Sequence, residues 1–120
     1  MSTLAYVRIS RGAKPGAYGS FEFQKDAIER YCNEHGLSDV KWLIDYGNSG
    51  LNGIGKQTLK SLAGNHAVVM TGPDRFSRKI TECLDFFTTL PSVHFADFGN
   101  IWKDVAPMLS RMRLLERDVV

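Results

Sequence analysis

The sequence predicts an α/β fold, a three-layer sandwich with a mainly parallel central sheet of about four strands and a C-terminal helix. Three observations lead there. Short β-branched or aromatic runs alternate with segments whose apolar residues recur at helical spacing, the order expected of a parallel sheet with crossover helices. Gly36 and Gly64 follow two of the helical patterns, where a left-handed stop is needed. Ala67-Val68-Val69-Met70 is an unbroken apolar run bounded by turn residues, as in a central strand covered on both faces. At 120 residues and 43% hydrophobic composition the chain suits a single domain, spanning 1–120, with a proper core.

The opening strand ends in Tyr6-Val7-Arg8-Ile9-Ser10. Alternation at ~3.3 Å per residue puts Tyr6, Arg8 and Ser10 on one face and Ala5, Val7 and Ile9 on the other. Burying an arginine costs several kcal/mol unless it meets an anion, so the polar face is expected to open onto a site. Residues 11–19 hold three glycines and a proline, which predicts a mobile loop without regular structure. Ser20 is then placed to cap a helix over 21–35, where Phe23, Ala27, Ile28 and Tyr31 share a stripe. Val40 to Ile44 predicts the second strand, followed by a long polar loop and a short helix near Gln57 to Ala63, stopped at Gly64. After the apolar run come a turn at Gly72-Pro73, a helix from about Ile80 towards Pro91, a fourth strand from Val93 to Phe98 and a helix from Asp104 to Val119. That last helix carries an apolar stripe including Leu109 and Met112, which needs a partner surface.

Several function classes are disfavoured. No apolar run approaches the ~20 residues of a membrane span, and the N-terminus lacks the pattern of a signal peptide, so a cytoplasmic protein is expected. Cys32 and Cys83 fall at apolar positions of helical patterns and are expected to be buried free thiols. His35, His66 and His94 show no metal-ligand spacing, and the glycines form no nucleotide-binding pattern. Trp42 and Trp102 fit a core or interface better than a base-stacking platform. A net charge of +2 neither demands nor excludes nucleic acid.

Ligands of open parallel sheets sit beyond the carboxyl ends of the strands. The first exit supplies Arg8 and Ser10, the second Asp45 and Ser49, the third Asp74, Arg75 and Arg78. Arg75 and Arg78 share a face if their segment is helical, with Asp74 placed to cap it or orient them. Forked guanidinium donors match phosphoryl oxygens, and preorganised cations stabilise the charge that builds during displacement at a phosphodiester, with a serine as nucleophile. For any arginine taken singly, the alternative is a surface ion pair with Asp74 worth less than ~1 kcal/mol.

Tyr6-Val7-Arg8-Ile9-Ser10, Gln24, Asp45-Tyr46-Gly47-Asn48-Ser49-Gly50 and Asp74-Arg75-Phe76-Ser77-Arg78 resemble, in order and spacing, the motifs of the serine recombinase catalytic domain of the resolvase and invertase family. The resemblance runs from residue 3 to about 118. It implies that Ser10 attacks a DNA phosphodiester, forming a phosphoserine link to the 5′ end and freeing a 3′ hydroxyl, with no metal or nucleotide cofactor. It makes Arg8, Arg75 and Arg78 the catalytic arginines, Asp74 their acidic partner, and Tyr6, Gln24, Asp45 and Ser49 supporting residues. It also implies DNA as partner and a homo-oligomer, a dimer or a synaptic tetramer, joined through the last helix.

Departures accompany it. A further arginine of the family is matched by Lys56, which keeps the charge but lacks the planar fork. The loop between Ser10 and Gln24 is longer than in small resolvases, and no helix-turn-helix or zinc pattern follows the last helix to read DNA sequence. Two other readings stay open: a non-catalytic recombinase-like module that modulates full-length partners, and an unrelated phosphate-binding α/β protein such as a small phosphatase.

Overall fold

The computed structural model describes residues 2–9, 12, 14, 16–46 and 54–97. The expected C-terminal helix, Trp102, Ser10 and Ser49 lie outside them. Four strands, β1 (Ser2–Arg8), β2 (Val40–Asp45), β3 (His66–Met70) and β4 (Val93–Phe95), form one sheet in the order β2-β1-β3-β4. Every neighbouring pair is parallel. The chain leaves β1 for one edge and returns to the other side of β1, which makes the β1/β3 boundary the switch point where open α/β sheets form their crevice. Arg8 stands opposite Asp45 in the register, and Ala5 opposite Val69.

Helices cover both faces, as the alternation along β1 requires. Ala5 and Val7 pack with Ile28 and Cys32 of α1 (Phe21–His35). Leu4 and Tyr6 pack on the opposite side with Leu59 of α2 (Ile54–Leu62) and with Cys83 and Phe87 of α3 (Ile80–Phe87). Val68 and Val69 of β3 are fully buried, one in each layer, as a covered central strand demands. Both cysteines are free and buried. Among the described residues no helix is long and apolar enough to cross a membrane.

Helix α1 follows its sequence signals closely. Ser20 accepts a hydrogen bond from Phe23 N at 3.2 Å, and Gly36 ends the helix in the left-handed region at φ 67°. The other elements depart in detail. Helix α2 begins at Ile54 rather than near Gln57, because Gly55 lets its first turn close on Asp45 where a Cβ would overlap the carboxylate. It gives way to a 3₁₀ turn over Ala63–Asn65, so Gly64 lies inside a turn instead of stopping a helix. Helix α3 ends at Phe87, short of Pro91, since the Thr88 and Thr89 hydroxyls donate to Leu84 O and Phe86 O at 2.7 and 2.6 Å and close its last turn. Strand β4 ends at Phe95 rather than Phe98, though Ala96 N and Asp97 N donate onward to Met70 O and Thr71 O. Trp42 is 37% exposed on edge strand β2 and belongs to neither core, which removes the core half of the expected core-or-interface placement.

Gly36→Ala should lower stability by about 1 kcal/mol, since an L side chain in the left-handed region is strained even in open space. Urea unfolding of the two proteins checks this.

Candidate active site

Tyr6 lies on the face of β1 opposite Ala5 and Val7, as the alternation predicts. Tyr6 is fully buried and its phenol donates to Asp45 Oδ2 at 2.7 Å. Burial, reinforced by that bond, holds the Tyr6 hydroxyl far above the ordinary phenol range, so it remains a donor. The Asp45 carboxylate in turn lies against Gly55 at the start of α2, where the helix dipole favours negative charge. Strand register and this bond therefore fix the second exit to the first.

Gln24 does for the backbone what Tyr6 does for a side chain. From the first turn of α1 its amide reaches β1, accepting from Arg8 N at 3.2 Å and donating to Arg8 O at 2.9 Å. The same Nε2 lies 3.2 Å from Gly19 O and 3.1 Å from Ser20 O, and the side chain is wholly buried. The next residue, Ile9, donates its N–H to Asp45 O at 2.8 Å. The backbone is thus held from both sides up to the residue before Ser10.

The third exit crosses the switch point. After Gly72 the chain makes a 3₁₀ turn over Pro73–Arg75, and Arg75 Nη1 donates to Arg8 O at 3.0 Å. Arg75 Nη2 pairs with Asp74 Oδ2 at 3.3 Å, the two side chains only 5% and 9% exposed. Asp74 Oδ1 accepts from the Tyr18 hydroxyl at 2.8 Å, and the Tyr18 ring lies 5.1 Å from the Arg75 guanidinium carbon.

Arg75 and Arg78 do not share a helical face. Phe76 is buried and stacked on Phe86 at 4.6 Å, and Ser77 Oγ accepts from Lys79 N, so the segment bends before α3 begins. Arg75 consequently points inward while Arg78 is exposed. Asp74 orients Arg75 but caps nothing, since no side chain bonds at the start of that turn. Lys56 is drawn elsewhere: its ammonium meets Glu82 Oε1 at 3.1 Å and sits 5.2 Å from the Phe76 ring centre, while Glu82 also accepts from Ser77 Oγ at 2.9 Å. Tyr6, Arg8, Gln24, Asp45, Asp74 and Arg75 are brought together, whereas Lys56 belongs to a neighbouring cluster.

Sequence reasoning missed Tyr18 and Gly72. Residues 11–19 were expected to form a mobile loop, yet its end is tied down by the Tyr18 hydroxyl. The available signal was a lone aromatic among glycines and small residues. Gly72 carries no such signal, since its need for glycine arises only in the fold: a Cβ there would lie 2.5 Å from Tyr18 Oη and 2.8 Å from Asp74 Oδ1.

The Lys56 cluster has a pH consequence. Hydrogen bonding to Lys56 holds the Glu82 carboxyl below its usual range, so the pair's stabilisation is present at neutral pH and lost as pH falls through the depressed value. Lys56→Met should therefore reduce stability at neutral pH, and the deficit should shrink below the carboxylate range. Denaturation midpoints at about pH 7 and about pH 3 measure both.

The sequence matches the family model described as Resolvase, N terminal domain, over residues 3–97. A search of curated proteins gives no match. Among solved structures, the fold is similar to the N-terminal catalytic domain of TP901-1 integrase, with a TM-score of 0.64 and 23% identity over 99% of this chain and 98% of that one. It is also similar to the C-terminal catalytic domain of ISC1926 TnpA, an IS607-like serine recombinase, with a TM-score of 0.61 and 24% identity over 92% and 77% of the two chains. Those identities speak for the fold, a serine recombinase catalytic fold. The family match spans most of the sequence and all the described strands beyond Ser2, and by it the chain belongs to the resolvase N-terminal domain family.

Proposed function

We propose that this domain carries out site-specific recombination by cleaving and rejoining DNA strands through transesterification at Ser10. The observation that carries this reading is the carbonyl of Arg8. It is held by Gln24 and Arg75 at once, two residues before Ser10 and at the switch-point crevice of the sheet. A nucleophile placed just beyond so constrained a strand end gains from orientation.

In the proposed step the Ser10 Oγ–phosphorus bond forms and the bond to the 3′ oxygen breaks. The serine proton leaves as the 3′ oxygen gains one, and the 5′ phosphate stays on the protein. Attack by a 3′ hydroxyl on the phosphoserine reverses the chemistry and needs no nucleotide, because the ester bond is exchanged rather than hydrolysed. Arg8 and Arg78, the less buried arginines, are assigned to the phosphate, where positive charge stabilises the crowded phosphorus by several kcal/mol. Arg75 with Asp74 sets the frame behind them, and Tyr6, Gln24, Asp45 and Ser49 support it. Lys56 would reach DNA only by leaving Glu82.

The domain is proposed to act in the cytoplasm as a homo-oligomer, a dimer or a synaptic tetramer, through the apolar stripe of residues 104–119. Its phosphate contacts position DNA without choosing a sequence. The occupied Lys56 ammonium favours a second reading, a non-catalytic module that modulates active partners.

A nicked duplex that traps the covalent intermediate tests the proposal. The native chain should form a protein–DNA adduct, and Ser10→Ala should form none while its melting temperature stays nearly unchanged. An adduct that survives Ser10→Ala overturns the assignment, and native protein that forms none favours the modulating module.

A further inference from the structure

We propose that Tyr18 is a positioning residue for the proposed cleavage, clamping the Asp74–Arg75 pair behind the end of β1. This rests on the reading that the pair serves DNA cleavage. The local chain delivers the ring in a defined way. Gly16 adopts φ 82°, Ala17 N bonds Lys14 O at 3.0 Å, and Ser20 N bonds Ala17 O at 2.8 Å, a tight turn that runs into the cap of α1. Tyr18 is half-buried against Phe23, with ring centres 5.5 Å apart.

From there it touches both members of the buried ion pair. Its hydroxyl donates to Asp74 Oδ1 at 2.8 Å while Arg75 takes Oδ2, so the carboxylate is held at both oxygens. The same hydroxyl lies 3.4 Å from Asp97 O, just past β4. Its ring lies against the guanidinium, a cation–π contact that restrains the group from its face while Arg8 O and Asp74 restrain it at its edges. Burial keeps the phenol protonated well beyond neutral pH, so the donor is permanent.

Gly72 supplies an independent observation. The space that its missing side chain leaves is filled by Tyr18 Oη, Asp74 Oδ1 and Asp97 O, all of which a Cβ would crowd. The fold therefore keeps this position clear for the clamp. Because Arg75 also holds the carbonyl of Arg8, slack in the clamp passes directly to the strand end that carries Ser10, where a misplacement of ~1 Å can cost on the order of 10²-fold in rate.

Tyr18→Phe keeps the ring and removes the hydroxyl. With the nicked duplex, it should slow adduct formation by about tenfold while DNA affinity stays close to native and the melting temperature falls only modestly from the lost bond to Asp74, a rate loss out of proportion to stability that a merely structural role would not produce. Gly72→Ala should also slow adduct formation, since its Cβ crowds the same hydroxyl together with Asp74 Oδ1, and the double variant should be slowed by less than the product of the two single effects, because both act at the Tyr18–Asp74 contact. Nitrogen-15 NMR of the Arg75 guanidinium, without DNA, should show slow rotation in the native chain and faster rotation in Tyr18→Phe. A native adduct rate in Tyr18→Phe overturns the positioning role, and a freely rotating Arg75 in the native chain overturns the clamp. Native protein that forms no adduct overturns the cleavage reading instead, and the NMR signal, which needs no DNA, tells the two failures apart.

Discussion

The carbonyl oxygen of Arg8 is the point on which the rest of the site depends. It ends the central strand of a parallel sheet and accepts two hydrogen bonds, from Gln24 on one helical layer and from Arg75 across the switch point. A strand end normally meets water, which holds nothing in place. Here both lone-pair directions are taken by side chains that are themselves almost fully buried. Moving the strand end would strip this carbonyl of both donors, and a buried polar group left unsatisfied costs about 1–3 kcal/mol, which is what keeps it still.

Each polar group around that carbonyl is secured in turn. Arg75 pairs with Asp74, Asp74 accepts from Arg75 and Tyr18 together, and Tyr6 donates to Asp45. A buried ion pair of this kind contributes little net stability, because desolvation offsets most of its attraction. Breaking it from one side, however, strands a charge. Its consequence is geometric: a small set of polar groups tied to one another at the carboxyl ends of parallel strands.

The neighbouring Lys56–Glu82–Ser77 cluster shows the same logic with a different result. It ties α2 to α3 over the Phe76 ring and draws the Lys56 charge away from the strand end. Cys83 lies beneath it, with its thiol near Ser77 O at 3.2 Å and its pKa pushed up to about 11 by burial, so it stays protonated and acts as packing. Phe76 separates the two polar clusters. Its burial between Phe86 and Phe87 is also why Arg75 turns inward and Arg78 outward.

The amino-acid sequence by itself determined the layers, because alternation along β1, the capped stripe of α1 and the apolar run of β3 each need only local patterning to decide which way side chains face. It also placed Arg8, Asp45, Asp74 and Arg75 at the exits of strands, since strand exits are written along the chain. Tertiary structure alone decided how those residues meet. Gln24 is sixteen positions from Arg8, and Arg75 sixty-seven, and nothing local states that both will bond one carbonyl. The start of α2 at Ile54, the bend at Phe76, the capture of Lys56 by Glu82 and the docking of Tyr18 beside Gly72 likewise arise between elements distant in sequence. Local propensity chooses the conformation of a segment; the pairing of buried polar groups is chosen only when segments are packed and water is gone.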